Sequence, residues 1–350
     1  MKRSLIAASF LIFCCSAFAG VITVSNASVS PGQHSSLSAA VSAANAGDTI
    51  LIHGTGINYG SITLDKALVF IGPGHNPTDK QNINPAMVDN VLLTTGSSQS
   101  KFYGINISYI YTNTTITNIV ISNCLVRSRV HIRHANCHNW TVDGSVFTSS
   151  DRNIEADGNN VSNLRVRNSV FNGFFYNFGS GSGYNYFTNC IFLSGVAHPT
   201  FQYCYYFYVK NSIFYRAIPR RSYGWISFDK CLSYQTTGGD NSFSGNDDGV
   251  SRTVYEGIDP LFISFPGAGS YFDYAHNYNL QGASPVKGMG TDATDLGVYG
   301  GTEFSNILLG YNQNGVPLNP YIKTFTITGS NSVNAGDNLQ ISVEAKVRNN

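Results

Sequence analysis

Charged residues are scarce in this sequence, and neither sign of charge dominates. Only 12% of the 350 residues are charged, whereas about a quarter are charged in a typical soluble protein. Lys and Arg number 21 against 20 for Asp and Glu, so no global basic field would attract nucleic acid. Polarity comes instead from Asn, Ser, Thr, Gly and Tyr, which favour strands and turns over helices.

Long hydrophobic runs are also missing beyond the first residues. Two basic residues precede a short apolar stretch from Leu5 to Phe13, and a small-residue pattern ends at Ala19. This stretch is too short for a stable transmembrane segment. We therefore expect residues 1–19 to be a signal peptide and the mature chain to be secreted or to lie at the cell surface. Lipidation at Cys14 is the alternative, although the preceding Phe13 departs from a lipobox.

A repeat of roughly 22 residues is clearest between residues 117 and 233. Each of six copies has Cys or Ser, then an aliphatic residue, and four continue with Phe. The Cys or Ser positions are Cys124, Ser145, Ser169, Cys190, Ser212 and Cys231, and the four aromatic residues are Phe147, Phe171, Phe192 and Phe214. Apolar residues alternate with polar ones ahead of each copy, which is typical of a strand with one buried face. Each strand then turns at Asn or Gly, which tolerate left-handed backbone angles.

The repeat predicts an all-β fold, a right-handed parallel β-helix. A unit of this length is too short for a βαβ unit, which needs about 30 residues. We expect the small, aliphatic and aromatic side chains to form one interior column. An amphipathic helix from Ser35 to Asn45 should cap its N-terminal end. The expected β-helix spans residues 20–302. Residues 303–350 should form a linker and two strands, 321–328 and 339–347.

Two stretches carry a resemblance to a known superfamily. The run from Leu37 to Gly74, with Gly47-Asp48-Thr49-Ile50 and Gly72-Pro73-Gly74, resembles the capped start of pectate-lyase-like β-helix proteins. Asp259-Pro260-Leu261-Phe262 and residues 290–301 are similar to the closing turns of secreted β-helix proteins of Bacteroidetes-type bacteria. The resemblance implies the fold and leaves the activity open, because the superfamily mixes lyases, hydrolases, epimerases and adhesins.

Arg127, Arg129, His131 and Arg133 form the most distinctive charged pattern. They alternate with Val126, Ser128, Val130 and Ile132, which predicts that all four point outward from one strand. Such a stripe could bind the carboxylates or sulfates of an acidic glycan. The alternative is a solvated sheet face whose charges pair across coils.

A second candidate ligand-binding segment contains Arg216, Arg220, Arg221, Tyr223 and Trp225. The arginines could neutralise acidic sugars, and the aromatic rings could stack on them. Pectate lyases carry a catalytic Arg in an Arg-x-Pro-x-x-Arg motif, but the spacing here departs from it, so no catalytic role is assigned. A loop with extended Arg side chains is the alternative.

The sequence contains no recognisable metal or cofactor motif. His131 and His134 belong to opposite faces of a strand, which argues against a shared ion with Cys137 and His138. Asp240, Asp247 and Asp248 could bind Ca²⁺, although a solvated turn explains them more simply. Asp151, Glu155 and Asp157 are close in sequence, but they do not match the acidic set of polygalacturonase-like enzymes.

Five cysteines remain after signal removal. Matched positions in different coils should lie roughly 10–14 Å apart, beyond the roughly 7 Å between the Cα atoms of a disulfide. We therefore predict no bridge between Cys124 and Cys190, between Cys190 and Cys231, or between Cys137 and Cys204. Tyr206 and Tyr208 are expected to point outward.

Three hypotheses for function remain open at this point. The first is an extracellular protein that binds polysaccharide without catalysis, because no acid/base set is recognisable. The second is a polysaccharide lyase acting on uronic-acid polymers. The third is a structural surface module. The oligomeric state cannot be inferred from these patterns.

Overall fold

A computed structural model describes residues 19–29, 32–75, 84–179, 181, 183–194, 198–219, 225–236, 242–243, 252–265 and 271–301. It also gives the backbone of two strands, 321–328 and 340–346. The expected signal peptide lies outside these residues, apart from Ala19. No helix in the described ranges is long and apolar enough to cross a membrane.

The chain winds into a right-handed parallel β-helix, as the repeat predicts. Its first sheet has ten parallel strands, numbered here along the chain: β1 (Val21–Val24), β2 (Thr49–Ile52), β4 (Val69–Ile71), β6 (Lys101–Tyr103), β8 (Val120–Ser122), β10 (Thr141–Asp143), β13 (Arg165–Arg167), β16 (Asn185–Thr188), β19 (Phe207–Lys210) and β21 (Ile226–Asp229). Each strand pairs with its equivalent in the next coil.

The second sheet divides at its fourth strand. It begins with β3 (Ile62–Leu64), β5 (Met87–Leu93), β7 (Asn106–Thr112) and β9 (Leu125–His131). One branch continues from the start of β9 as β11 (Val146–Phe147), β14 (Val170–Phe171), β17 (Ile191–Leu193), β20 (Ile213–Tyr215), β22 (Cys231–Tyr234) and β23 (Val254–Glu256). The other continues from the end of β9 as β12 (Arg152–Glu155), β15 (Phe174–Phe178) and β18 (Phe201–Cys204). The three coils that contain β12, β15 and β18 therefore have three strands each.

The predicted capping helix is present, although shorter than expected, as α1 (Leu37–Ala43). The Ser36 hydroxyl accepts a hydrogen bond from the backbone N–H of Ala39, which satisfies one of the unpaired groups at the helix start. Leu37, Ala40 and Val41 are buried, and the helix packs against the first strands. Its apolar face therefore closes this end of the interior.

The interior column follows the repeated small and aromatic positions. Phe171 stacks between Phe147 and Phe192, with ring centroids 4.8 and 5.7 Å apart, and all three rings are fully buried. The Ser145 hydroxyl accepts a hydrogen bond from the backbone N–H of Cys124 in the preceding coil. Each coil turns at the same position with φ between 45 and 54 degrees, at Asn123, Gly144, Asn168, Asn189, Asn211 and Lys230. The predicted stacking and the predicted turns are confirmed.

The expectation of a single interior column is wrong for the aliphatic residues of the repeat. These residues lie on the outer side of the β-helix, in a second hydrophobic core separate from the first, formed by Val146, Val170, Ile191, Ile213 and Leu232. The reason is the two-residue alternation of a strand: a residue between two inward ones must point outward. Residues 258–265 and 271–301, called the cover below, supply the apolar side chains that bury this face.

Hydrogen bonds along the turn position hold the cover in place. The Asn168 side-chain amide donates to the backbone carbonyls of Val298 and Gly300 at 2.9 and 2.8 Å. Asn211 both donates to and accepts from Thr291. Within the cover, β24 (Phe262–Ser264) and β25 (Asn277–Leu280) pair antiparallel. Near the C-terminus, β26 (Tyr321–Thr328) and β27 (Gln340–Lys346) form a separate antiparallel pair.

Candidate functional site

Aromatic and charged side chains gather where the second sheet divides. A register shift between β7 and β9 lies beside Arg129, which pairs with Tyr109, while His131 pairs with Tyr111. Such irregularities reorient side chains and are common beside functional sites. We call the group formed by Tyr109, Tyr111, Arg129, His131, Arg133, Arg152, Glu155 and Asp157 the fork cluster.

Glu155 is the buried anion of the fork cluster. It is 2% exposed at the end of β12 and makes an ion pair with Arg129 at 3.0 Å and another with Arg152. A buried carboxylate needs such partners because desolvation would otherwise favour its neutral form. The Arg152 guanidinium also lies over the Tyr176 ring, 4.1 Å from its centroid. These contacts fix both arginines against the sheet.

His131 connects the exposed and buried parts of the cluster. Its Nδ1 atom is 2.8 Å from the Tyr109 hydroxyl and accepts a hydrogen bond from Arg133 Nε at 3.1 Å. Since an arginine can only donate, Nδ1 must carry a lone pair and the ring proton belongs on Nε2. Asp157 Oδ1 lies 2.8 Å from Nε2, but the angle is too far from linear for a hydrogen bond. Tyr109 and Asp157 therefore lie on opposite sides of the His131 ring, one beside Nδ1 and the other beside Nε2.

Three of these side chains also offer atoms that could bind a metal ion. Ligand atoms of His131, Glu155 and Asp157 lie within 4.8 Å of one another. The protonated Nε2 atom is not available as a ligand, and Glu155 already bonds two arginines. The surrounding guanidinium groups would also repel a cation. The donor set therefore fits a hydrogen-bonded ion-pair network better than a metal centre.

The predicted basic stripe lies partly on the surface, with its charges paired across coils. Arg127 is 3.6 Å from Asp89 and donates to the Val88 carbonyl, and Arg129 reaches Glu155. Arg133 is exposed, and its guanidinium donates to the Tyr109 hydroxyl at 2.8 Å. His131 points outward from its strand, but it is only 8% exposed, because Tyr109, Arg133 and Asp157 surround its ring.

A second surface, on the outer side of the first sheet, is rich in aromatic side chains. Tyr184, Tyr206 and Trp225 occupy successive coils, with centroids 5.8 and 6.0 Å apart. Tyr186 and Tyr208 pair directly across β16 and β19 in the neighbouring column. We call these five residues the aromatic platform. Tyr184, Tyr186 and Trp225 are 40, 39 and 53% exposed.

Among the described residues of the second predicted segment, Trp225 belongs to this platform. Trp225 precedes β21 in the first sheet, whereas Arg216 follows β20 in the second, so the two belong to different faces. Arg220, Arg221 and Tyr223 lie outside the described residues, and so do Asp240, Asp247 and Asp248. Tyr206 and Tyr208 are half-buried on the outer face, as the alternation predicts. Tyr109, Tyr184 and Tyr186 were missed, although the alternation in β7 and β16 marks them as outward.

The other residues of the histidine-rich segment do not converge. His134 Nδ1 lies 3.3 Å from the Thr115 hydroxyl, and His138 Nδ1 lies 2.8 Å from that of Ser162. Cys137 is buried, and its thiol contacts the Thr114 carbonyl. Each side chain thus has a different partner in a neighbouring coil, so the segment stabilises the stacking of coils.

Comparisons with known proteins find a similarity among solved structures and none among family models or curated proteins. No family model matches the sequence, and no curated protein matches it. Among solved structures, the chain is similar to the deglycosylated pectin methylesterase from Aspergillus niger, with 15% identity and a TM-score of 0.35. The match covers 70% of this chain and 94% of that one. The bacterial part of the expected resemblance stays a prediction.

Proposed function

We propose that this protein is exported and binds an extracellular polysaccharide on its aromatic platform without cleaving it. The observation that supports the proposal is the exposure of Tyr184, Tyr186 and Trp225 beside two further tyrosines, all contributed by successive coils along the first sheet. Exposed aromatic patches on a folded surface mark interaction sites. The apolar faces of sugar rings pack on such side chains, whereas their hydroxyls remain available to polar neighbours.

Polar groups beside the platform are suited to sugar hydroxyls. The Tyr208 hydroxyl donates to Asp229 at 3.3 Å, and the Arg252 guanidinium lies 5.2 Å from the Tyr208 ring centroid. Lys210 and Asp229 pair directly across β19 and β21. This mixture of signs adds no strong net charge, so the platform suits a neutral or weakly acidic polymer.

Replacing platform rings tests this proposal. Trp225→Ala and Tyr184→Ala should each weaken polysaccharide binding roughly tenfold, which corresponds to one lost stacking contact of about 1.4 kcal/mol. Tyr271→Ala is the matched control, because Tyr271 is 44% exposed but lies in the cover. Glycan arrays and affinity electrophoresis would measure binding, and chromatography would detect products. Binding that survives both platform substitutions would refute the proposal, and product formation would refute its non-catalytic part.

The fork cluster favours a second candidate function, a lyase acting on uronic-acid polymers. The exposed Arg133 guanidinium could hold the carboxylate of a uronate beside the Tyr109 hydroxyl. Arg133 would turn its Nε–H from His131 Nδ1 to the uronate carboxylate, and Tyr109 would then pass its proton to the freed Nδ1, with Asp157 stabilising the imidazolium. The Tyr109 phenolate would remove the proton next to that carboxylate. The C–H electrons would form a C=C bond as the glycosidic C–O bond breaks. Tyr109 would return the proton to the leaving oxygen.

The absorbance of the unsaturated product distinguishes the two candidates. Pectin, alginate and chondroitin would be incubated with the protein with and without Ca²⁺. Under the lyase hypothesis, Tyr109→Phe abolishes the absorbance rise. Tyr111→Phe, which removes a hydroxyl from a ring stacked 4.8 Å from that of Tyr109, should leave it largely intact. The wild-type protein producing no absorbance rise on any polymer would count against the lyase.

A further inference from the structure

A cavity of about 340 Å³ lies between the β-helix and the cover. Val146 and Val170, two residues of the second core, line its side toward the coils, and Phe272, Tyr278 and Tyr299 line its side toward the cover. The Phe272 and Tyr278 rings are nearly parallel, with an angle of 13 degrees between their planes. The volume falls within the range of small-molecule sites, roughly 300–1,000 Å³.

One wall of the cavity is held by a hydrogen-bonded pair from distant parts of the chain. Tyr274 donates its hydroxyl proton to the His75 carbonyl at 2.7 Å, and the same oxygen lies 2.6 Å from His75 Nδ1. Because the hydroxyl proton is already donated, Nδ1–H must be the donor in the second contact. Burial lowers the pKa of His75 to about 4, so its ring is neutral near neutral pH.

A second histidine and one carboxylate complete the polar lining. The Tyr278 hydroxyl accepts from the Asp273 backbone N–H at 3.3 Å and lies 3.0 Å from His276 Nδ1. Burial lowers the pKa of His276 as well, which favours its neutral form. The exposed Asp273 is the charged group among the lining residues, and one of its carboxylate oxygens accepts from the Ala275 N–H. The cavity thus combines aliphatic and aromatic walls with neutral polar groups and one carboxylate, that of Asp273, which can accept hydrogen bonds from hydroxyl groups.

We propose that this cavity binds one neutral sugar unit, such as the end or a branch of a polysaccharide. The apolar walls suit the C–H face of a sugar ring, and the polar groups suit its hydroxyls. Asp273 accepts hydrogen bonds from hydroxyls and repels the carboxylate of a uronic acid. None of the lining residues belongs to the aromatic platform. This site therefore does not depend on polymer binding at that surface.

Filling the cavity tests the proposal. Calorimetry and saturation-transfer NMR would compare glucose, galactose, mannose and glucuronic acid as probes of the full-length protein. Ala275→Trp adds a large ring to an exposed residue that lines the cavity, and should weaken binding of the preferred neutral sugar at least tenfold. Ala283→Trp is the matched control, because Ala283 is exposed in the cover away from the cavity lining.

A conservative substitution gives an independent readout. The wild-type protein should prefer its neutral sugar over glucuronic acid at least tenfold, and Asp273→Asn should reduce that ratio at least threefold. Asparagine retains a side-chain oxygen for the Ala275 N–H, so the turn should persist. Failure of the wild type to bind any neutral hexose, binding that survives Ala275→Trp, or an unchanged ratio in Asp273→Asn would overturn the proposal. Trp225→Ala should leave monosaccharide binding unchanged, which separates this site from the platform.

Discussion

The two hydrophobic cores use neighbouring residues of the same strands but are completed in different ways. Phe171 points inward and stacks on Phe147 and Phe192 from adjacent coils. Val170, one residue earlier, points outward and is buried only because the cover packs over it. The interior is therefore a property of the repeat itself, whereas the outer core depends on a segment that follows about a hundred residues later. Substitutions in the two cores should therefore have different effects, because adjacent coils bury one core and the cover buries the other.

The largest effect is expected in the interior column. Phe192 is fully buried and stacks on Phe171 and Phe214, with centroids 5.7 and 4.5 Å away. Phe192→Ala should lower the free energy of unfolding by about 3–5 kcal/mol, because neighbouring coils cannot close the space it leaves. Denaturant unfolding followed by circular dichroism would measure this loss. A loss below about 1 kcal/mol would mean that the column is loosely packed.

This column is also the part of the molecule that sequence reasoning predicts best. Phe147 and Phe214 recur at the coil length, and Asn123 and Asn211 mark its turns, so periodicity alone carries the information. The cover is not repetitive, and its partners are far away in sequence. The hydrogen bonds from Asn168 to Val298 and Gly300 join residues for which no local pattern predicts an encounter.

The next largest effect is a pH dependence at the junction of the cover with the β-helix. The pKa of His75 falls from its ordinary value of 6.5 to about 4 in the folded protein, since burial disfavours its charged form. The unfolded chain therefore binds more protons between these two values. Stability is fully present above pH 6.5 and is lost as pH falls toward 4, by about 3 kcal/mol.

A His75→Asn variant isolates this contribution. Asparagine can still donate to Tyr274 from a position similar to that of Nδ1, but it does not titrate. The difference in unfolding free energy between wild type and variant should shrink or reverse as pH falls from 6.5 to 4. His276 titrates in the same direction and is unchanged in both proteins, so its contribution cancels. A difference independent of pH would contradict the burial of His75.

A smaller effect is expected in the outer core. Ile213 lies against Gly297 of the cover, and Ile213→Ala should lower the free energy of unfolding by about 2 kcal/mol, at the lower end for such substitutions. The cover can move toward the coils and partly fill the space that the smaller side chain leaves. Adjacent coils cannot do the same around Phe192. Hydrogen exchange should show earlier opening of residues 271–301 in this variant, with the coils still protected. Equal acceleration in both regions would show that the cover and the β-helix unfold together.

The candidate sites also combine features that the local sequence pattern predicts with contacts that it does not. Alternation predicts that Arg129 and His131 face outward, but it cannot predict that Glu155 and Asp157 of the next coil face them. The buried state of His131 results from those neighbours rather than from its own strand. Likewise, the cavity beneath the cover involves His75 and Tyr274, which are 199 residues apart. Contacts between coils of irregular length, and contacts with the cover, are what local patterns leave open.

The smallest effect is expected at the buried cysteines, whose reactivity reports whether the interior column opens. Burial raises the pKa values of Cys124, Cys190 and Cys231 to about 12, and each thiol contacts a backbone carbonyl. Since the thiolate is the reactive form, these thiols should not react with an aromatic disulfide reagent at pH 8 in the native protein. After denaturation without reductant, all five thiols of a chain that begins at residue 20 should react. A count well below five would mean that coils expected to lie too far apart are bridged, and a fast native reaction would show that the interior column opens without global unfolding.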